Sequence, residues 1–250
     1  MNHEIPIYRL CEHMSTVAQQ LEQEGMTHVR GLLTETELAP IRTVLIKLHS
    51  NFNQLPKNIN KNSDNNSGSE IREISRLIKH SPLFQHSPVF AKCFELARQI
   101  FGKSPHYGHD EAIFKATGGQ PVGWHQDQTY SKYDKDKQCV SIWIPLQDTN
   151  KFNGGMEYVV DRQDSLLKHS RVTSDSFMYQ IPSDHLNNKV TVSPEMAVGD
   201  VCVHTPLCIH RSHPNNSDQT RIAWIIQFNK YGKSRFLRLS NLKRYITGIN

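Results

Sequence analysis

The feature that most restricts how this chain can fold is a His-x-Asp triplet, His125-Gln126-Asp127, together with a distant third donor, His210. Strand side chains alternate with a period of two, so donors at i and i+2 share one face of a strand. If all three bind one ion, segments far apart in sequence must lie side by side. Two imidazoles and one carboxylate on one triangular face leave other coordination positions open. That set suits non-heme Fe(II) holding a cosubstrate and dioxygen together. The spacing alone is a common accident in a chain with 14 histidines. Its flanks add to it: Gly123-Trp124 ahead, Gly199-Asp200 opening the apolar run Val201-Cys202-Val203, then Ser212, Asn215, Ser217 and Arg221 after His210. The competing reading is a set of surface and core histidines, His204 and His213 among them, with no metal.

The apolar pattern divides the chain into a helical first part and a β-rich second part. Residues 14–24 read as a helix with Val17, Leu21 and Met14 on one side, ended by Gly25. Met26 to Arg30 is strand-like. Thr34 and Glu37 form a capping box that starts a helix running to His49, with Leu38, Ile41, Leu45 and Leu48 at helical spacing. The polar stretch Asn51 to Ser69 is expected to be a mobile loop, idle or acting as a lid. Helices are expected near 70–80 and 87–101. From Glu111 onward come short runs split by Gly, Pro and Asn: Ala112–Phe114, Val140–Ile144, Tyr158–Val160, Val190–Val192, Val201–Val203 and Ile222–Ile226. Short spaced strands argue for an antiparallel sandwich or barrel, here a mainly β jelly roll backed by N-terminal helices. The expected organisation is one domain over 1–250, with a helical part at 1–103, a jelly-roll core at 104–230 and a basic tail at 231–250.

Composition excludes several function classes. No run approaches the ~18 apolar residues that span a bilayer. Nothing resembles a nucleic-acid module, and a net charge of +5 comes largely from late residues such as Lys230, Arg235 and Lys243. That run reads as a solvated segment or as attraction to an acidic substrate. An odd five cysteines without a Cys-x-x-Cys pair read as reduced thiols. The first and last residues carry no signal or peroxisomal pattern, so a cytoplasmic location is expected. Oligomeric state is not readable.

Arg221 opens the last long apolar strand. A buried guanidinium needs an anion, and its planar fork grips a carboxylate with two parallel hydrogen bonds. Ser212 shares a side with His210 and can donate another. Together they suit the distal carboxylate of 2-oxoglutarate; a salt bridge from Arg221 to a protein carboxylate is the plainer alternative.

Several motifs carry a family resemblance: His125-Gln126-Asp127, Trp143-Ile144-Pro145, Asn153-Gly154-Gly155-Met156-Glu157, Gly199-Asp200 and the block from His210 through Arg221. In these the chain resembles the phytanoyl-CoA dioxygenase family over most of its length, the final block being the most specific part. The resemblance implies a double-stranded β-helix (jelly roll, cupin-like) and an Fe(II)/2-oxoglutarate-dependent oxygenase using O2 as second cosubstrate. By motif position, His125, Asp127 and His210 would bind iron, and Arg221, Ser212 and Trp143 would bind 2-oxoglutarate. Trp143 also reads as plain core. Lys115 stands where relatives are often basic, with no role assigned to it, and Glu111 is left out because a carboxylate would repel the dianion. Many relatives have Gly-Ser-His where this chain has Asp161-Arg162-Gln163-Asp164. Asp127 fills the position that related halogenases leave open for chloride, which favours hydroxylation, or another oxidation such as desaturation, of a small molecule (a secondary metabolite, amino-acid derivative or acyl ester). A zinc hydrolase on the same ligands and a non-catalytic jelly-roll binding protein are the alternatives. Gln128, Tyr130, Tyr107 and the segment 161–183 are the candidates for lining the substrate.

Overall fold

The computed structural model describes residues 14–63, 71–130, 138–172 and 178–232. The first part runs α1 (Met14–Glu24), β1 (Met26–Val29), α2 (Glu35–Ser50), β2 (Asn60–Ser63), β3 (Ile71–Ser75), α3 (Leu77–His80), α4 (Pro82–Gln85) and α5 (Pro88–Phe101). The second runs β4 (His106–Lys115), β5 (Val122–His125), β6 (Cys139–Pro145), β7 (Met156–Val159), β8 (Ser170–Arg171), β9 (Tyr179–Gln180), β10 (Thr191–Val192), β11 (Val201–His204), β12 (His210–Ser212) and β13 (Arg221–Asn229). A major sheet has the order β1-β11-β6-β13-β4-β3-β2, a minor sheet the order β10-β7-β12-β5, and β8 and β9 form a two-stranded sheet. All the pairings are antiparallel. This is the jelly roll expected from the spaced apolar runs.

Local chemistry sets the helix ends. The Thr34 hydroxyl accepts from Glu37 N while the Glu37 carboxylate accepts from Thr34 N, so the capping box is complete. Helix α5 starts with Ser87 accepting from Phe90 N and ends at Gly102 in the left-handed region. Both helices lay apolar faces on the major sheet. Leu38, Ile41, Leu45, Val89, Cys93 and Leu96 join Phe114, Ile142, Ile144, Trp224, Ile226 and Phe228 in one core. The alternate residues of those strands turn to the minor sheet. Trp143, Cys202 and Ala223 pack there with Met156, Tyr158 and Cys208. The strand period of two thus divides one sheet between a helix-facing apolar layer and an inner face that carries polar groups.

The expectation for 51–69 is corrected in part. Phe52–Gln54 form a 3-10 turn with Phe52 buried, and Asn60–Ser63 pair with β3; the stretch beyond 63 lies outside the described residues. Of the helix expected near 70–80, Ile71–Ser75 are strand and Leu77–His80 are helical. Ile71 to Ser75 pair with Lys115 to Glu111, and Arg76 at φ +64 breaks the chain into the short α3. An exposed strand edge on β4 outweighs local helix preference there. Burial of Met14, and the tail from 233 on, lie outside the described residues. Among those described, no helix is long and apolar enough to cross a membrane, and no disulfide forms.

Gly199-Asp200 has a structural use. Gly199 sits at φ +101, where a Cβ would lie 2.3 Å from Leu33 O. Asp200 Oδ1 accepts from Gly31 N at 2.9 Å; Oδ2 lies 3.0 Å from His28 Nε2 and accepts from Ala197 N at 3.2 Å. This carboxylate pins β1 and the turn after it to β11. Burial pushes the Asp200 carboxyl up, but the His28 ring and the Gly31 N–H outweigh it and hold it below the usual value. Asp200→Ala is expected to cost about 3 kcal/mol in urea unfolding at neutral pH, because buried donors lose their acceptor. A lowered folded pKa contributes stability that is full above the unfolded carboxyl's pKa and lost as pH falls through the folded value. The gap between wild type and variant therefore narrows only in acid.

Candidate metal centre and anion cradle

His125 and His210 are cross-strand partners on β5 and β12 of the minor sheet. Their ring centroids lie 4.3 Å apart. Each ring is oriented by its Nδ1 against a carbonyl two residues back, Gly123 O at 2.8 Å and Cys208 O at 3.0 Å. That contact assigns the proton to Nδ1 and leaves Nε2 as the donor atom in each case. Asp127 completes the group. Its Oδ1 lies 3.8 Å from His125 Nε2 and 3.4 Å from His210 Nε2. The three donor atoms all lie within 4.8 Å of one another, close enough for one ion.

One part of the expectation is corrected. Asp127 is not on the strand with His125; β5 stops at His125 and Asp127 opens a 3-10 turn to Tyr130. The convergence comes from the residue between them. Gln126 is fully buried. Its amide donates to Leu207 O at 2.7 Å and Ser165 O at 3.1 Å, and accepts from Leu167 N at 2.8 Å. Anchoring Gln126 on the far side swings Asp127 back toward the histidines.

The charges at the site fit a cation. Burial lowers His125 to about 3, helped by His210, so the ring is neutral. Burial would raise Asp127, but His210 and His204 hold it well below the usual carboxylate range. Burial would lower His210, and the Asp127 charge raises it instead. An ion between these donors would balance the Asp127 charge.

The anion cradle lies on the same inner face. Arg221 is buried, and its Nε and Nη1 have no hydrogen-bond partner. Among the described residues no carboxylate pairs with it, so the salt-bridge alternative finds no support. Its guanidinium sits 5.6 Å over the Trp143 ring, which is both core and floor of the cradle. Lys115, its direct cross-strand partner, is also fully buried. Lys115 Nζ donates to Ser212 Oγ at 2.7 Å and to His213 O at 2.6 Å, which leaves the Ser212 hydrogen available to an anion. Burial, with Arg221 adding to it, lowers Lys115 to about 6, and burial lowers Arg221 to about 10. Gly154, at φ +84, comes within 3.1 Å of Lys115 Cδ and 3.5 Å of Arg221 Nε at its Cβ position. Two buried basic groups, an available hydroxyl and orphaned N–H groups could together hold a carboxylate.

The structure therefore brings His125, Asp127 and His210 together, and Arg221, Ser212 and Trp143 beside them. Sequence reasoning gave Lys115 no role. Its position after Ala112-Ile113-Phe114 puts it on the face opposite Phe114, and that alternation was the available signal. Tyr130 stands edge-on to His125 at 6.0 Å, and its hydroxyl accepts from Tyr179 N of the β8–β9 hairpin. Tyr107 belongs elsewhere: its ring packs on Phe90 and its hydroxyl donates to Asp110 in the helix-facing layer. Of the segment 161–183, residues 173–177 lie outside the described residues.

A phytanoyl-CoA dioxygenase of Arabidopsis thaliana is 28% identical over 165 residues, covering 65% of this chain. The chain spans about half the length of that relative, 56%. Among solved structures, EvdO2 from Micromonospora carbonacea var. aurantiaca aligns with a TM-score of 0.73 at 20% identity, over 90% of this chain and 93% of that one. The epimerase SnoN, in complex with Fe3+, alpha ketoglutarate and nogalamycin RO, aligns with a TM-score of 0.70 at 17% identity, over 86% and 83%. At these identities the two likenesses concern the fold, which is the jelly roll described above. The family profile described as phytanoyl-CoA dioxygenase (PhyH) matches residues 21–223, from α1 into β13 and through every residue of the site, and the chain belongs to that family.

Proposed function

We propose that this chain is an Fe(II)/2-oxoglutarate-dependent dioxygenase that hydroxylates a C–H bond of a small molecule. One observation carries the reading. Strand β12 bears the metal donor His210 and, two residues on, the cradle residue Ser212. Two strand residues span about 7 Å, the reach of a five-carbon diacid chelated at one end and gripped at the other. EvdO2 has been solved complexed with 2-oxoglutarate and SnoN with Fe3+ and alpha ketoglutarate, which supports the same pairing here.

His125, Asp127 and His210 would hold the iron. Bound iron with 2-oxoglutarate and dioxygen supplies the oxidation of the substrate C–H bond, with release of succinate and CO2. The chain's own work is placement. The Gly123 and Cys208 carbonyls keep both Nε2 atoms aimed at one point. Arg221, Lys115 and Ser212 neutralise and orient the distal carboxylate, and Trp143 closes the floor beneath it. Tyr130 and the β8–β9 hairpin border the side of His125 from which a substrate approaches. A zinc hydrolase would leave the two buried basic groups without a use.

Iron-dependent conversion of 2-oxoglutarate to succinate is the direct test, with His125→Ala expected to abolish it. Unchanged turnover in that variant, or EDTA-treated protein rescued by zinc without 2-oxoglutarate, would sink the reading. Arg221→Met is expected to weaken 2-oxoglutarate binding on the order of 100-fold by calorimetry while metal affinity holds. Lys115, lowered to about 6 by burial and by Arg221, should take up a proton when the dianion binds. Affinity should therefore be level below pH 6 and fall as pH rises above it, a trend that Lys115→Met should flatten.

A further inference from the structure

The two oxygens of Asp127 have different surroundings. Oδ1 is the one near His125 and His210. Oδ2 accepts from Ser141 Oγ at 3.2 Å and lies 3.1 Å from His204 Nε2. Ser141 and His204 are cross-strand partners on β6 and β11, so both come from the major sheet, whereas the two histidine donors come from the minor sheet. His204 is buried, with its ring centroid 4.5 Å from that of His210 and 5.7 Å from that of Tyr158. Its Nδ1 is buried without a hydrogen-bond partner. A proton on Nδ1 would be stranded there, so the proton belongs on Nε2, facing Asp127. The set of donor atoms close enough to share an ion contains His125, Asp127 and His210 but not His204.

The geometry points to His204 and Ser141 as positioning residues that clamp Asp127 Oδ2, so that the carboxylate offers a metal Oδ1 alone. The inference rests on reading His125, Asp127 and His210 as metal ligands. A carboxylate left to rotate can coordinate through both oxygens and fill a position that a chelating 2-oxo acid or a third small ligand needs. Two donors on Oδ2 oppose that rotation, because swinging the oxygen to the metal would strand a buried N–H and a buried hydroxyl together. The clamp thus preserves open coordination positions, a task different from adding another ligand.

Cobalt(II) is a suitable probe, since its d–d absorption reports coordination number without turnover. The full chain is titrated as wild type, His204→Phe, His204→Gln and Ser141→Ala, with thermal melting recorded alongside. Phe removes the donor. Gln places an amide N–H where Nε2 stood. Loss of the clamp is expected to weaken cobalt binding about 10- to 100-fold in His204→Phe, the range for partners of metal ligands, with a d–d spectrum that departs from that of the wild type. Ser141→Ala should move both readings the same way by less, and His204→Gln should recover the wild-type spectrum. Wild-type affinity and spectrum in both His204→Phe and Ser141→Ala would overturn the inference. So would equal loss in His204→Phe and His204→Gln with Ser141→Ala unchanged, because His204 would then be filling space or binding the ion itself. If His204→Phe fails to fold, Ser141→Ala against His204→Gln decides. A wild-type chain that takes up no cobalt would instead remove the metal centre on which the inference stands, and that failure is seen before any variant is compared.

Discussion

The Asp127 carboxylate lies where the two sheets meet, and the rest of the inner site is arranged around its charge. Removing a carboxylate from water costs several kcal/mol unless it is paired and hydrogen-bonded. Here His125 and His210 approach from the minor sheet, and His204 and Ser141 from the major one. The half-buried charge therefore adds a polar tie between two layers that also meet through Lys115 and Ser212 and through apolar contacts such as Trp143, Met156 and Tyr158. Because Gln126 is anchored by Leu207, Ser165 and Leu167, the carboxylate cannot easily withdraw.

A second constraint has the opposite sign. Like charges directly opposite on neighbouring strands are unfavourable, and burial makes them more so. Lys115 and Arg221 face each other across β4 and β13 with no carboxylate between them among the described residues. Burial keeps Lys115 close to neutral, and the lysine spends its hydrogen bonds on Ser212 and the His213 carbonyl. Arg221 Nε and Nη1 have no partner within the protein. A dianion would relieve both difficulties at once.

Much of this was legible in the chain. The helix at 35–50 could be read from Thr34 and Glu37 and from Leu38, Ile41, Leu45 and Leu48, because helix ends and faces are local properties. The convergence of His125, Asp127 and His210 could be anticipated from type, spacing and flanking motifs together, and the burial of Arg221 from its place at the head of an apolar strand. Strand β3 was not legible. Ile71 to Ser75 become a strand only because β4 offers an edge, and that is a tertiary fact. The turn at Asp127 was hidden for a related reason, since it depends on contacts that Gln126 makes with residues far along the chain. Tyr107 was misplaced because proximity in sequence says nothing about which side of a sheet a ring will take.

The one-turn helix that begins at Asp127 ends at Tyr130, and the Tyr130 hydroxyl is tied to the backbone of Tyr179. Strand β9 in turn leans on β5, where Ile181 N bonds Trp124 O next to His125. The hairpin and two of the metal-binding candidates thus belong to one mechanical circuit. Any outward displacement of β9 would therefore load the short turn that carries Asp127 through the Tyr130 hydroxyl.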